Sequence, residues 1–509
     1  MRSRTGRPAD ASSRATWPNG SRFLHCGYPE GLMSESVFEG SRPTRDGEWA
    51  AESQGMAPIP EDARYGASWR NFTVWFAPNM QLSGVFVGTL AITLGLGFWS
   101  GFFAIVIGII LGALPVAYLT LWGPKTGMGQ LPLARLPFGK TISVPAAVQW
   151  LSSVAWDGLV GLFGGEAAQL FFHVPFFVGV LIVLALEGAI GFLGYEVIHQ
   201  AQKWGSLVLG VLYVILSWKI LDKGNLPMHA TVHGNLAVAM FVLMSTIAFS
   251  GSFSWASYAA DYSRYQKKDT PSVPIFLWTL GGLAISYIWM YTIGLAGAKW
   301  LTNQTAGGVQ KLMGGGFLGV LALLAIVFGA VVSNAMNDYS GSLAIQAGGI
   351  RIKRNWTALY STILAFFLIL WLHQGDTSGR FENILLFASY WIAPFCAVLV
   401  IDWLHVRTSL THERLTHLMD FSRLVQGWSA LVALVVGFCA MIPFMDTSLV
   451  VGPISKAMDG ADISFYVGFV VAAVVYWPLR RIESRGTLTP AFEASMELAN
   501  VKATSLDRS

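Results

Sequence analysis

Long apolar runs alternate with short polar stretches from about residue 69 onward, and within each run the apolar residues follow one another without interruption. Membrane β-strands would instead show a period of two over segments of about 10 residues. A helix crosses the hydrocarbon core with about 20 apolar residues, so each long run predicts one membrane-spanning helix. Such runs lie near 69–95, 98–122, 142–172, 175–197, 202–221, 235–260, 273–297, 316–348, 356–373, 382–404, 422–444 and 463–479. Twelve spans are therefore expected. Residues 1–65 are polar and rich in Gly, Pro, Ser and Arg. They contain no apolar core of a secretory signal and read as a disordered cytoplasmic tail. Met33 and Met56 stand beside Met1 as possible starts. Residues 481–509 are polar again and read as a second cytoplasmic tail.

Composition sharpens this picture. Hydrophobic residues make up 54% of the 509 and charged residues 12%, about half the charged share of a soluble domain. That excludes a soluble enzyme, a disordered chain and a nucleic-acid-binding module, and leaves the lipid bilayer as the bulk partner. The net charge of +4 names no other partner. Cys26, Cys396 and Cys439 are too widely separated for a disulfide framework, a zinc motif or a redox pair, and no cofactor is implied. Lys and Arg fix an orientation. With the N-terminus cytoplasmic, the inner loops hold thirteen of them and the outer loops six, so both termini face the cytoplasm.

Two spans carry irregular sequence at membrane depth. The first reads Trp75-Phe-Ala-Pro-Asn-Met-Gln-Leu-Ser-Gly84, where Pro78 cannot donate a backbone hydrogen bond. Asn79, Gln81 and Ser83 are polar where lipid cannot satisfy them. The sixth reads Phe249-Ser-Gly-Ser-Phe-Ser-Trp255, with Gly251 among serines. Broken backbone survives in a membrane only where protein or a cavity surrounds it. Breaks at matching places five spans apart point to a transport site between inverted repeats.

Other polar residues sit within the spans, where they are costly and default to function. Span 3 carries Asp157 and Glu166 beside Trp156, span 4 carries Glu187, and span 8 carries Ser333, Asn334, Asn337 and Asp338. Residues 334, 337 and 338 share one helical face. That face offers amide donors, amide acceptors and a carboxyl group together, which suits the mixed hydrogen-bonding edge of a flat heterocycle. Trp156 and Trp255 supply stacking surfaces for its faces. The competing reading for Asn334 is interhelical hydrogen bonding. For Gly161 and Gly165 it is close helix packing.

Five stretches together resemble the nucleobase:cation symporter-1 family, the purine–cytosine permeases and their relatives. They are Ile59-Pro-Glu-Asp-Ala-Arg-Tyr-Gly66, and Trp75-Phe-Ala-Pro-Asn-Met-Gln81. Next come Gly123-Pro-Lys-Thr-Gly-Met-Gly129 with Arg135-Leu-Pro-Phe-Gly139, then Trp255-Ala-Ser-Tyr-Ala-Ala-Asp-Tyr-Ser-Arg-Tyr265 and Asn334-Ala-Met-Asn-Asp-Tyr-Ser-Gly-Ser-Leu343. Span 10 adds Ser389-Tyr-Trp-Ile-Ala-Pro-Phe395 with Asp402-Trp403. The resemblance implies an all-α, leucine-transporter-like fold in a transporter domain over 66–480. Repeat one would span about 69–221, repeat two about 235–404, and two extra helices about 422–479. It implies symport of a small heterocycle by alternating access. The heterocycle would be held between Trp156 and Trp255, or Phe253 if the break shifts the alignment. Gln81, Asn337 or Asp338, and Asn334 would meet its edge.

The resemblance also implies a sodium site at Ala77, Met80, Gly329, Val332 and Ser333, where only Ser333 offers a hydroxyl although two are usual. Protons are the alternative coupling ion, with Asp338, Asp157 and Glu166 as carriers. Val160 stands where relatives often have an amide one turn after the span 3 tryptophan. Expected substrates are cytosine or a purine. Allantoin or hydantoins, a vitamin such as thiamine or pyridoxine, and amino acids are same-fold alternatives, with a channel or sensor as a further rival. An enzyme finds no support. His412 and His417 are five apart rather than the four of the zinc helix, and no P-loop occurs.

Overall fold

The structure is a computed structural model that describes residues 55–487, apart from residues 194, 302–305, 351, 353, 376 and 408–409. Among the described residues there are helices and one isolated β-bridge, Asp446 with Val451, but no strand. The first span is two helices, α1 (Arg70–Phe76) and α2 (Leu82–Thr93). Next come α3 (Phe98–Thr120), the short α4 (Trp122–Thr126) and α5 (Gln130–Phe138), then α6 (Ser143–Phe172), α7 (Phe176–Leu193) and α8 (Tyr195–Asp222). The second half runs α9 (Gly234–Phe253), α10 (Ser272–Leu301), the short α11 (Ala306–Leu312), α12 (Phe317–Ala347) and α13 (Arg354–Leu372). Span 10 is α14 (Thr377–Tyr390) with α15 (Ile392–Val406), interrupted at Trp391. After α16 (His412–His417) come α17 (Trp428–Met441), α18 (Pro453–Ala457) and α19 (Ser464–Thr487).

Every expected span coincides with one of these helices or helix pairs. Among the described residues, seven stretches are long and apolar enough to cross a bilayer on their own, Phe98–Thr126, Gly234–Tyr258 and Phe317–Ala347 among them. Leu82–Thr93, Leu359–Leu372 and Trp428–Phe444 are shorter apolar helices. The turn after α6 bends the chain by 113°. His173, in the left-handed region at φ 55°, caps α6 there. Large apolar side chains such as Trp99, Phe103, Trp218 and Phe317 are exposed on the helices, as a lipid-facing surface requires.

The packing repeats itself with a shift of five spans. Span 1 packs on span 7 and span 6 on span 2, while spans 3 and 8 pack on each other. Glycine sets the closest approaches. A Cβ on Gly88 would lie 1.9 Å from the Tyr291 carbonyl oxygen, and one on Gly294 would lie 1.9 Å from that of Val85. On the matching pair, a Cβ on Gly108 would lie 2.1 Å from the Ser245 carbonyl oxygen. Small residues let membrane helices come this close, where van der Waals contact replaces the missing hydrophobic drive.

Two details correct the sequence reading. The expected tail over 1–65 lies outside the described residues as far as 54, but residues 56–65 pack on the helices. Ile59 N–H donates to Gly127 O (2.9 Å), and buried Arg64 donates to Ile59 O and Pro124 O (both 2.8 Å). An arginine that reaches buried carbonyls fixes the segment that a polar composition alone makes look loose. At the other end, α19 runs on to Thr487, past the expected boundary at 480. The rest of the expected second tail, 488–509, lies outside the described residues.

Arg135 of α5 organises the connecting segments. It is 2% exposed and donates to four backbone oxygens: Ala347 (2.8 Å), Gln346 (3.0 Å), Leu418 (2.5 Å) and Met419 (3.3 Å). Ala347 and Gln346 close α12, so the guanidinium sits at the negative end of that helix's dipole. Burial lowers its pKa to about 10, which leaves it charged at neutral pH.

Candidate functional site

The first break follows from Pro78. With no N–H at residue 78, the chain tightens to a 3-10 turn over Ala77–Asn79 and then extends at Gln81 (φ −137°, ψ 156°). The Asn79 side-chain amide donates to Trp75 O (2.6 Å), which satisfies an acceptor within the interrupted segment. The second break is milder than the glycine suggested. α9 continues through Gly251 to Phe253 and then tightens to a 3-10 helix over Ser254–Tyr258. Gly251 serves tertiary contacts instead: its carbonyl accepts from Tyr287 Oη (2.8 Å).

The breaks are joined by Trp255. Its indole N–H points at Asn79 Oδ1 (3.0 Å) and at Tyr287 Oη (2.8 Å). Trp75 packs edge-on against the same indole, with centroids 5.6 Å apart, and Tyr258 does so at the same distance. Two hydrogen bonds and two ring contacts thus hold the indole.

Between the breaks lies a narrow cavity lined by Gln81, Trp156, Ser254, Trp255, Tyr258, Tyr287, Ser333 and Asn337. Gln81 caps the start of α2 through its carbonyl, which accepts from Gly84 N–H (3.2 Å), while its side chain makes no capping bond and its Oε1 is buried with no hydrogen-bond partner. A buried acceptor left unpaired costs about 1–3 kcal/mol, so this atom is poised for a ligand donor. Trp156 and Trp255 both border the cavity but make no ring contact with each other.

Of the residues expected to hold a heterocycle, four line the cavity: Gln81, Trp156, Trp255 and Asn337. Phe253 does not. It is buried against Phe249 and Phe465, because an unbroken helix up to residue 253 turns it away from the face that Trp255 occupies. Asn334 also stands behind the cavity lining. Its amide donates to Glu187 Oε2 (2.8 Å) and to Asp157 O (3.1 Å). Asp338 is buried and belongs with Asp157 and Glu187. Val160 is buried away from the cavity.

The expected sodium positions converge only in part. Ser333 lines the cavity. The Met80 carbonyl lies over Gly329, where a Cβ would be 2.7 Å from its oxygen. Ala77 packs nearby against Gly205 of α8. The Val332 carbonyl, however, already accepts from the Gln202 amide of α8 (2.9 Å). Glu166 lies elsewhere, accepting from Ala306 N–H (3.4 Å) near His373 (3.8 Å). Sequence reasoning missed Tyr258, Tyr287 and Gln202. Tyr258 sits one turn beyond Trp255 on the same break, which is a usable signal. The other two carry no local mark.

Comparison with known proteins fits this geometry. The family described as permease for cytosine/purines, uracil, thiamine, allantoin matches residues 58–468. A putative purine-cytosine permease of Bacillus subtilis is 25% identical over 443 residues, which is 84% of this chain and 96% of that protein. The cytosine permease of Escherichia coli is 26% identical over 414 residues, covering 76% of this chain and 88% of that one. A vitamin B6 transporter of Saccharomyces cerevisiae is 23% identical, covering 85% and 88%. Among solved structures, a nucleobase-cation-symport-1 family transporter in a closed conformation with bromovinylhydantoin bound superposes with a TM-score of 0.71. It is 16% identical, and the match covers 85% of this chain and 96% of that one. With five-span packing symmetry, two broken helices and a cavity between them, the chain is an integral membrane protein that belongs to the permease family for cytosine/purines, uracil, thiamine and allantoin.

Proposed function

We propose that the protein is a secondary active symporter that imports a nucleobase, cytosine or a purine, together with a cation. The observation that carries this reading is the buried, unpaired Gln81 Oε1 in a cavity bordered by Trp156 and Trp255, with Asn337 on the same wall. A planar base has two π-faces and an edge that carries both donors and acceptors. Stacking on an aromatic side chain contributes about 1–3 kcal/mol per base. An edge N–H of the base would satisfy Gln81 Oε1, and the Asn337 amide offers both a donor and an acceptor. A wrong edge would leave these groups unpaired, which supplies discrimination. The fold supports alternating access, in which one bundle would rock against the other about the broken spans. The protein would sit in a plasma membrane, the inner membrane of a bacterium, with both termini cytoplasmic. The coupling ion is a proton or sodium.

A second reading keeps the fold and changes the heterocycle to a hydantoin or a vitamin. It is supported by the hydantoin-bound structure and the vitamin B6 transporter among the proteins this chain is similar to. Uptake of radiolabelled cytosine into transport-deficient cells tests both. Adenine, guanine, hypoxanthine, uracil, allantoin, pyridoxine and thiamine serve as unlabelled competitors, with and without sodium. Saturable accumulation blocked by purines supports the first reading. Absent cytosine uptake by folded protein, with direct binding of one of the other competitors, supports the second. Flux that never exceeds equilibration would mark a channel.

A further inference from the structure

Behind the cavity, three carboxyl groups meet inside the helix bundle. Asp157 comes from α6, Glu187 from α7 and Asp338 from α12, and they are 1%, 0% and 3% exposed. Each is near enough for its charge to act on another: Asp157 feels Asp338 and Glu187, and Glu187 feels Asp338. Glu187 Oε2 accepts from Asn334, but Glu187 Oε1 and both oxygens of Asp157 are buried without a hydrogen-bond partner. The Asn337 amide approaches Asp157 outside hydrogen-bond geometry. No Lys, Arg or His acts on Asp157 or Glu187.

Against α12, Arg135 is engaged by backbone carbonyls, and Arg264 donates to Tyr339 Oη (2.8 Å). The 3-10 turn after α9 brings Tyr258, whose hydroxyl is engaged with Ser153 Oγ (2.8 Å). On α8, His199 faces Arg70 (2.6 Å) and Tyr213 is buried. α2 and α13 beyond Arg354 hold no Asp, Glu, Lys, Arg or His. Glu166 of α6, Lys311 of α11, and Arg380 and Glu382 of α14 are not among the charges acting on Asp157 or Glu187.

Charge buried without a counter-charge costs several kcal/mol per ion, and within a membrane such groups default to function. Asp157 and Glu187, on which no Lys, Arg or His acts, must therefore be neutralised. A proton neutralises a carboxylate without any coordination shell. A path of amides links this cluster to the cavity: Asn337 lines the cavity and points its amide at Asn334 Oδ1 (3.5 Å), and Asn334 donates to Glu187.

We infer that Asp157, Glu187 and Asp338 form the proton-binding site that couples transport, with Asn334 and Asn337 carrying its charge state to the substrate cavity. This rests on the symporter reading above. A proton from the outer water adds to a carboxylate oxygen, and the same O–H bond breaks toward the inner side. No bond to the substrate forms, and no oxidant or reductant is involved. The neutral cluster frees the Asn334 amide to reorient, so substrate and proton are carried together.

Two measurements test it. Infrared spectroscopy of the purified full chain reads the carbonyl stretch of protonated carboxyl groups without any substrate. We expect such a band at neutral pH that weakens in both Asp157→Asn and Glu187→Gln. A spectrum unaltered by either substitution overturns the site. The second uses proteoliposomes and radiolabelled cytosine. A gradient of about one pH unit should drive about tenfold accumulation at one proton per substrate, and a sodium gradient alone should drive none. Glu187→Gln should abolish that accumulation while cytosine exchange across the membrane persists, and Glu187→Asp should restore part of it. Sodium-driven accumulation, or full pH-driven accumulation by Glu187→Gln, overturns the proposal. If the infrared band behaves as expected but wild-type protein exchanges no cytosine, the proton site stands and the nucleobase reading falls.

Discussion

Replacing Gln81 by leucine separates ligand recognition from folding, because the two should move in opposite directions. Gln81 is 6% exposed, caps α2 through its carbonyl with no side-chain bond, and holds an unpaired Oε1 against the cavity. Its backbone is extended, which leucine adopts without strain. In the empty protein the substitution removes a buried acceptor that lacks a donor, so it relieves a cost rather than adding one. In the complex the ligand N–H loses its acceptor, at about 1–3 kcal/mol. With tenfold per 1.4 kcal/mol, that is about 5- to 150-fold weaker binding. Quenching of Trp156 and Trp255 fluorescence by cytosine gives the affinity, and a thermal melt in the same detergent gives the stability. The expected pair is weaker binding with an equal or higher melting temperature. Affinity within about twofold of wild type would refute the role of Oε1. A parallel fall in both would show that Gln81 supports the break instead.

Other substitutions probe separate parts of the argument. Trp156→Ala should weaken cytosine binding by about 1–3 kcal/mol through lost stacking, measured by direct binding; unaltered affinity removes Trp156 from the site. Gly294→Val places carbon against the Val85 carbonyl oxygen, already 1.9 Å from a bare Cβ, and should destabilise by at least about 1–3 kcal/mol. Gly210→Ala on α8, with nothing within 4 Å of its Cβ, should instead leave the melt equal or raise it by up to about 1 kcal/mol. Asp446 lies in the loop between α17 and α18, where burial first and Asp462 second push its carboxyl above the usual range. Its stabilising contribution is therefore complete below the unfolded value and lost as pH rises through the folded one. Asp446→Asn should raise the melting temperature at neutral pH and flatten the wild-type gain on mild acidification; an unaltered pH profile counts against this. Arg135→Lys should cost about 2–4 kcal/mol, since an ammonium cannot span four separated carbonyls, and a melt within error of wild type would contradict it.

The spans were legible because the bilayer demands long apolar runs, and no tertiary contact is needed to see them. The first break was legible for the same kind of reason: Pro78 removes a donor wherever it stands in a helix. The second was read too far upstream. Gly251 weakens a helix in isolation, but Tyr287 and the neighbouring helices hold it straight, so Trp255 faces the cavity and Phe253 does not. Asn334 and Glu187 each stand out as polar residues in apolar runs, yet their hydrogen bond joins spans 4 and 8 across 147 residues of sequence. No local pattern encodes that pairing. Gln202 escaped notice because the start of its span is polar around it, with Gln200 and Lys203 beside it. Its role exists only once α8 packs on α12.

The clamp around Arg135 has an evolutionary corollary. All four of its acceptors are main-chain oxygens, at residues 346, 347, 418 and 419, and every residue type provides one. Side chains at those four positions are free to drift among relatives without disturbing the contact. Position 135 is not free, because only a planar fork with several donors reaches them all. A deep mutational scan should therefore find position 135 intolerant on account of this contact, while Ala347 and Leu418 answer only to their own burial. Covariation between homologous sequences, which detects paired changes of side chains, should find no companion for position 135 among these four acceptors, in contrast to Phe421, whose ring lies 5.6 Å from the guanidinium.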